Sequence, residues 1–229
     1  MLDEGIEDIR HIKNWEDLKN WIIDNDETLE NLTGYEGFDK VLGSGQWGRA
    51  WKIKGRDLVL KLSTDPKEMY FGVLLEGKNF PSFVKVYKCV HIKGRSAEGK
   101  EMTAQLRIQE MCYPVDWSSL TSIGQYELLG WIQSYIDQIY EGYKKETKRT
   151  QIDVQFLEYF LDVLKQDPDY EETEYSYSEK AIILKCLKFG VQLLEDVEKL
   201  RGYKNLHEID LHDDNVMEDI NGNFKMIDF

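Results

Sequence analysis

Three textures follow one another along the chain. In residues 1–39, Ile6, Ile9, Trp15, Leu18, Trp21 and Ile22 recur at helical spacing, and Asn14 is placed to cap a helix through Leu18 and Trp21. This stretch reads as a helical N-terminal extension whose stripe packs on the neighbouring lobe. From about residue 40 the period shortens to strand-like runs: VLGSG (41–45), RAWKI (49–53) and DLVLKL (57–62), the last two joined by a hairpin turn at Lys54-Gly55-Arg56. Two further runs, FVKVYKCV (83–90) and TAQLRIQEM (103–111), are joined by the turn segment GRSAEGK. Between the third and fourth runs, DPKEMYFGVLLEG (65–77) predicts a helix starting at Asp65 with Pro66 in its first turn.

After Pro114 the pattern becomes helical. Leu128, Leu129, Ile132, Tyr135, Ile136, Ile139 and Tyr143 mark one apolar face, and Val154, Leu157, Phe160, Leu161 and Leu164 mark a second helix over 151–165. A polar, acidic loop follows. Ser176 and Glu179 form a capping-box pair ahead of Ile183, Leu187, Val191, Leu194 and Val197, with Gly202 expected to end that helix. The chain closes with two short apolar runs around Asn221-Gly222, a hairpin signal. The order predicts an α+β chain of two lobes: five antiparallel strands with one helix over 40–115, then a mainly helical lobe with a terminal β-hairpin over 116–229.

Composition narrows the partners. The 229 residues carry 29 Lys plus Arg against 43 Asp plus Glu, a formal net charge of -14. A groove tracking nucleic-acid phosphates would need a cationic surplus, so no nucleic-acid partner is expected. The three cysteines, Cys89, Cys112 and Cys186, are widely spaced and outside any CxxC pair, and read as small apolar fillers in a reducing compartment. No run approaches the roughly 18 apolar residues of a membrane span, and no leader peptide is evident, so a cytoplasmic location without membrane contact is expected.

Candidate chemistry begins at Gly43-Ser44-Gly45-Gln46-Trp47-Gly48, which fits G-x-G-x-x-G. A dinucleotide fingerprint would lead into a helix, whereas this one leads into a strand. The glycines then read either as an ordinary turn or as a flap whose backbone N–H groups approach phosphates. In LVLKL, alternation puts Leu58, Leu60 and Leu62 on one face and Val59 and Lys61 on the other. Lys61 either snorkels to solvent or supplies a point charge to nucleotide phosphates, positioned by a carboxylate of the next helix, Glu68 in preference to Glu76.

Asp210-Leu211-His212-Asp213-Asp214-Asn215, followed by the hairpin that ends in Ile227-Asp228-Phe229, resembles the catalytic loop and metal-binding Asp-Phe-Gly of the protein-kinase-like superfamily. The resemblance covers residues 40–229. Asp-Leu-His-x-x-Asn is similar to the loop of aminoglycoside phosphotransferases and of small kinases encoded by bacteriophages. It implies a bilobal kinase-like fold using ATP and Mg2+, in the host cytoplasm if phage-encoded. Asp210 would accept the proton of the attacking hydroxyl, and Asn215 and Asp228 would hold magnesium. Gly43, Ser44, Gly45 and Gly48 would cover the phosphates, Lys61 with Glu68 would orient them, and Gln109-Glu110-Met111-Cys112 would be the hinge meeting the adenine.

Glu208 stands where the family has its loop histidine. His207, one residue further back, is read as structural and His212 as a loop residue. Asp213 and Asp214 are read as solvated, though close enough to raise the pKa of Asp210 by like-charge repulsion. The chain stops at Phe229 without an activation segment, as expected of a minimal kinase or a fragment. The implied activity is Ser/Thr protein phosphorylation. The alternatives are an aminoglycoside-type kinase acting on a cationic small molecule and a pseudokinase or inhibitory binding module without turnover.

Overall fold

The computed structural model describes residues 38–44, 48–95, 101–122, 124–166, 174–200 and 211–227. The extension expected over 1–39 lies outside them up to residue 37, as do turn residues 96–100 and loop residues 167–173. The described chain is α+β, with a five-stranded antiparallel sheet and four α-helices. It divides into two compact units. One holds the described residues up to Asn79 together with Val84–Met111, and the other holds Phe80–Phe83 with those from Cys112 onward.

In the first unit, strands β1 (Phe38–Ser44), β2 (Gly48–Ile53), β3 (Leu58–Ser63), β4 (Val86–Arg95) and β5 (Glu101–Glu110) lie in the order β1-β2-β3-β5-β4. Gly55, at φ +66°, supplies the left-handed residue that the tight β2–β3 turn needs. Trp51, Leu60 and Ile108 face one another across three strands and are buried on one face. Ala50, Lys61, Arg107 and Cys89 form the adjacent row, whose side chains point to the opposite face.

Helix α1 (Pro66–Leu75) packs on that second face. Asp65 caps it by accepting from the backbone N–H groups of Lys67 at 2.7 Å and Glu68 at 3.3 Å, and Pro66 needs no partner in the first turn. Its buried positions are Glu68, Phe71, Gly72 and Leu75, a helical stripe whose first member is a carboxylate. Gly72 permits close approach, because a Cβ there would lie 2.2 Å from Gln105 Oε1. Gln105 Nε2 donates to the Met69 carbonyl at 2.8 Å. Polar side chains of β5 thus meet the Glu68 and Gly72 positions of the helix, while Phe71 and Leu75 bury the apolar part of the same stripe.

The second unit is built on α2 (Gln125–Thr147), α3 (Val154–Leu164) and α4 (Tyr177–Lys199). A Cβ on Gly190 would come within 2.4 Å of Ile132 Cγ2, so glycine sets how closely α4 approaches α2. Tyr140 and Tyr143 meet Phe156 edge-on and join α2 to α3. The capping box at Ser176 and Glu179 is formed, and Glu179 Oε1 also accepts from Thr121 N and Oγ1 and from Ser122 N. A three-stranded sheet of β6 (Tyr113–Pro114), β7 (Val216–Glu218) and β8 (Phe224–Met226) completes the unit. Ser82 donates through N and Oγ to the fully buried Asp196 of α4 at 3.0 and 2.8 Å, which ties Phe80–Phe83 to this unit.

Several sequence expectations shift. The fourth strand starts at Val86, not Phe83, because Phe83 instead bridges Met226 of β8 in parallel. The third helix ends at Lys199 with Leu200 as its C-cap, before Gly202, which lies outside the described residues. The second begins at Val154, where Asp153 caps it. Tyr135 and Val154, expected on apolar faces, are exposed. No helix among the described residues is long and apolar enough to cross a membrane.

Candidate functional site

The buried charge of the first unit gathers around Glu68. Lys61 Nζ lies 2.6 Å from Glu68 Oε1, and Arg107 Nη2 reaches the same oxygen at 2.7 Å. Ser63 Oγ donates to Oε2 at 2.7 Å, and Arg107 Nε donates to Gln109 Oε1 at 2.7 Å. Glu76, the other candidate partner for Lys61, accepts from the Cys89 backbone N–H instead. Burial alone would raise the Glu68 pKa. The charge of Arg107, then that of Lys61, and hydrogen bonds from Lys61 and Ser63 overcome this and hold it at about 2. The three ionic groups sum to +1, a local reversal of the chain's net charge. Arg107 escapes the sequence reading because Gln105, Arg107 and Gln109 alternate like a solvent-facing edge. The available signal was the mismatch of a carboxylate in the buried stripe of α1, which demands a buried cation.

The glycines of the β1–β2 hairpin play different parts. A Cβ on Gly48 would lie 2.1 Å from the Leu62 carbonyl oxygen, so β3 alone requires glycine there. A Cβ on Gly43 would meet nothing within 4 Å among the described residues, so none of these requires glycine there. Ser44 pairs with Arg49 across the hairpin, and Gly45, Gln46 and Trp47 lie outside the described residues. In the expected hinge, the Glu110 N–H donates to the Lys85 carbonyl and the Met111 N–H to the Asp57 carbonyl, so these amides are used within the first unit. Cys112, at the start of the second unit, is buried.

In the second unit a 3-10 turn, Asp213–Asn215, leads directly into β7, and Asn215 is buried. Ile227 N donates to the Asn215 carbonyl at 2.9 Å, so the residue before Asp228 is held to the backbone of Asn215. Asp219 shapes the β7–β8 turn by accepting from the N–H groups of Asn221 and Asn223, and Gly222 takes φ +76°. The hairpin expected at Asn221-Gly222 therefore forms. Ligand atoms of His212, Asp213 and Asp214 lie within 4.8 Å of one another, and Gln125 Nε2 donates to Asp213 at 3.3 Å. This cluster combines a ring nitrogen with two carboxylates, and Asn215 is the buried member of the same turn. Asp210, Asp228, Phe229, His207 and Glu208 lie outside the described residues.

No protein-family model and no curated protein matches the chain. The first unit offers a partly exposed ammonium held by a buried carboxylate beside a hairpin with one unpacked glycine. The second offers a histidine and two carboxylates on a turn that opens a hairpin. Burial pushes the Cys89 thiol up to about 12 and raises that of Cys186 as well, which disfavours the thiolate at both.

Proposed function

We propose that the chain is an ATP- and Mg2+-dependent phosphotransferase of kinase-like bilobal fold, a small phage-type Ser/Thr protein kinase that transfers the γ-phosphate to a protein hydroxyl. The observation that carries this reading is the ion pair between Lys61 on β3 and Glu68 on α1. A lysine held by a buried carboxylate cannot swing freely into solvent, and it presents a fixed positive point to phosphates. The surplus positive charge of the Lys61–Glu68–Arg107 group favours a polyanion where the chain as a whole repels it. Gly43 and Gly45 would let backbone amides near the phosphates, and Gly48 serves the sheet first. Asn215 with Asp228 would hold Mg2+, whose bound charge neutralises the phosphates. Asp210 would take the proton from the acceptor hydroxyl.

The test is ADP release by the purified chain with Mg2+ and ATP, alone, with a general protein substrate and with an aminoglycoside. Phosphate on protein supports the reading, whereas phosphate on the aminoglycoside alone replaces it with the small-molecule kinase. Asp210→Asn is expected to lower turnover about a thousandfold, within the range for a lost general base. Unchanged turnover in that variant overturns the role of Asp210. Nucleotide binding without transfer would make the chain a binding module.

A further inference from the structure

Glu68 is held by two cations that are not equivalent. The Lys61 side chain is 15% exposed, on a flexible stem, whereas that of Arg107 is 2% exposed. One edge of the Arg107 guanidinium is anchored through Nε to Gln109 Oε1 on its own strand, and Nη2 reaches Glu68. Nη1 is buried and finds no acceptor among the described residues. Moving Glu68 away would leave a buried guanidinium with no counter-charge, a far larger penalty than releasing an ammonium that water can reach. Gln105, two residues before Arg107 on β5, adds its bond to the Met69 carbonyl. The first turns of α1 are therefore tied to β5 through Arg107 and Gln105, its C-terminal end is tied to β4 through Glu76 and the Cys89 N–H, and Lys61 meets a carboxylate that β5 already holds.

We propose that Arg107 is a positioning residue that fixes Glu68 and α1 on the sheet independently of Lys61, so that the Lys61–Glu68 pair is assembled without nucleotide and needs no activating partner or modification. Its catalytic consequence rests on the phosphotransferase reading; the fixing of the helix does not. The charged and polar groups facing Glu68 among the described residues are Lys61 and Ser63 from β3 and Arg107 from β5.

Hydrogen exchange of the amides of Tyr70–Leu75 in the full, nucleotide-free chain tests it. Lys61→Met is expected to exchange within about twofold of the parent, and Arg107→Met about tenfold faster or more, as for a helix that has lost a buried charged anchor. Equal acceleration in both variants, or none in Arg107→Met, overturns the proposal. Should Arg107→Met unfold the first unit, seen as fast exchange in β3 and β5 as well, Arg107→Lys decides. That variant keeps the charge and loses the fork, so acceleration confined to α1 supports the proposal and parental exchange refutes it.

Turnover separates the two readings. In a folded Arg107→Met, kcat is expected to fall about tenfold while KM for ATP changes less than about threefold, with partial recovery in Arg107→Lys. The exchange pattern without nucleotide binding in any variant would keep the anchor and discard the phosphotransferase. Parental kcat with a loosened α1 would discard the positioning role.

Discussion

Gly43 and Gly48 make opposite packing demands within one hairpin. Gly48→Ala puts a methyl against the Leu62 carbonyl, so the sheet must move, with an expected loss of about 1–3 kcal/mol in urea unfolding. Gly43→Ala meets no atom of the described residues and is expected to leave stability within about 0.5 kcal/mol while, on the phosphotransferase reading, weakening nucleotide binding. Equal stability loss in both variants would deny the distinction. Glu68 makes a second prediction at this scale. Above its ordinary value of 4.5 the carboxyl is ionised in folded and unfolded chains alike. Between 4.5 and about 2 the unfolded chain binds the proton and the folded one does not, so stability falls as pH drops through that window. The contribution is on the order of 3 kcal/mol, and it should appear as the difference between the acid unfolding curves of the parent and Glu68→Gln. Parallel curves from pH 5 to about 2.5 would mean that the network does not hold the carboxylate ionised.

The elements show which interactions a sequence can display. The Asp65-Pro66 start, the Gly55 and Asn221-Gly222 turns and the Ser176–Glu179 capping box were legible because each is closed within about five residues by its own turn chemistry. What holds the elements together was not. Arg107 reaches Glu68 across 39 positions and Ser82 reaches Asp196 across 114, and no periodicity announces a partner at such separations. Of the candidate site, the choice of Glu68 over Glu76 followed from a short connection, while the second cation needed the β3–β5 register. Glu179 combines both kinds of contact. Donors led by the Ser176 side chain, then the Ser176 backbone and Ser122, hold its carboxyl well below the usual range. Ser176→Ala removes one capping bond, for about 1 kcal/mol. Glu179→Ala also releases Thr121 and Ser122, so its urea midpoint should fall further; equal midpoints would mean that the long-range bonds contribute nothing.

At the scale of the whole molecule, the net charge of -14 and the proposed polyanionic ligand pull in opposite directions, and salt should reveal it. At about 10 mM ionic strength the screening length is about 30 Å, so distant carboxylates act on an approaching nucleotide; at about 150 mM it is about 8 Å. The contacts proposed to attract phosphate are local: Lys61, the excess charge left by Arg107, and backbone amides. In the proposed complex they would lie within a few ångströms of the phosphates and resist screening longer than the diffuse repulsion does. Affinity for the Mg2+ complex of ATP is therefore expected to rise as salt increases from about 10 to 150 mM and to fall only beyond that, the reverse of a protein steered by its overall charge. Titration with a fluorescent ATP analogue across this range would measure it. A steady fall from the lowest salt upward would mean that the local positive group dominates even at long range. Lys61→Met should then sharpen the contrast, since removing the exposed member of the group leaves the repulsion in place and carries the rise to higher salt.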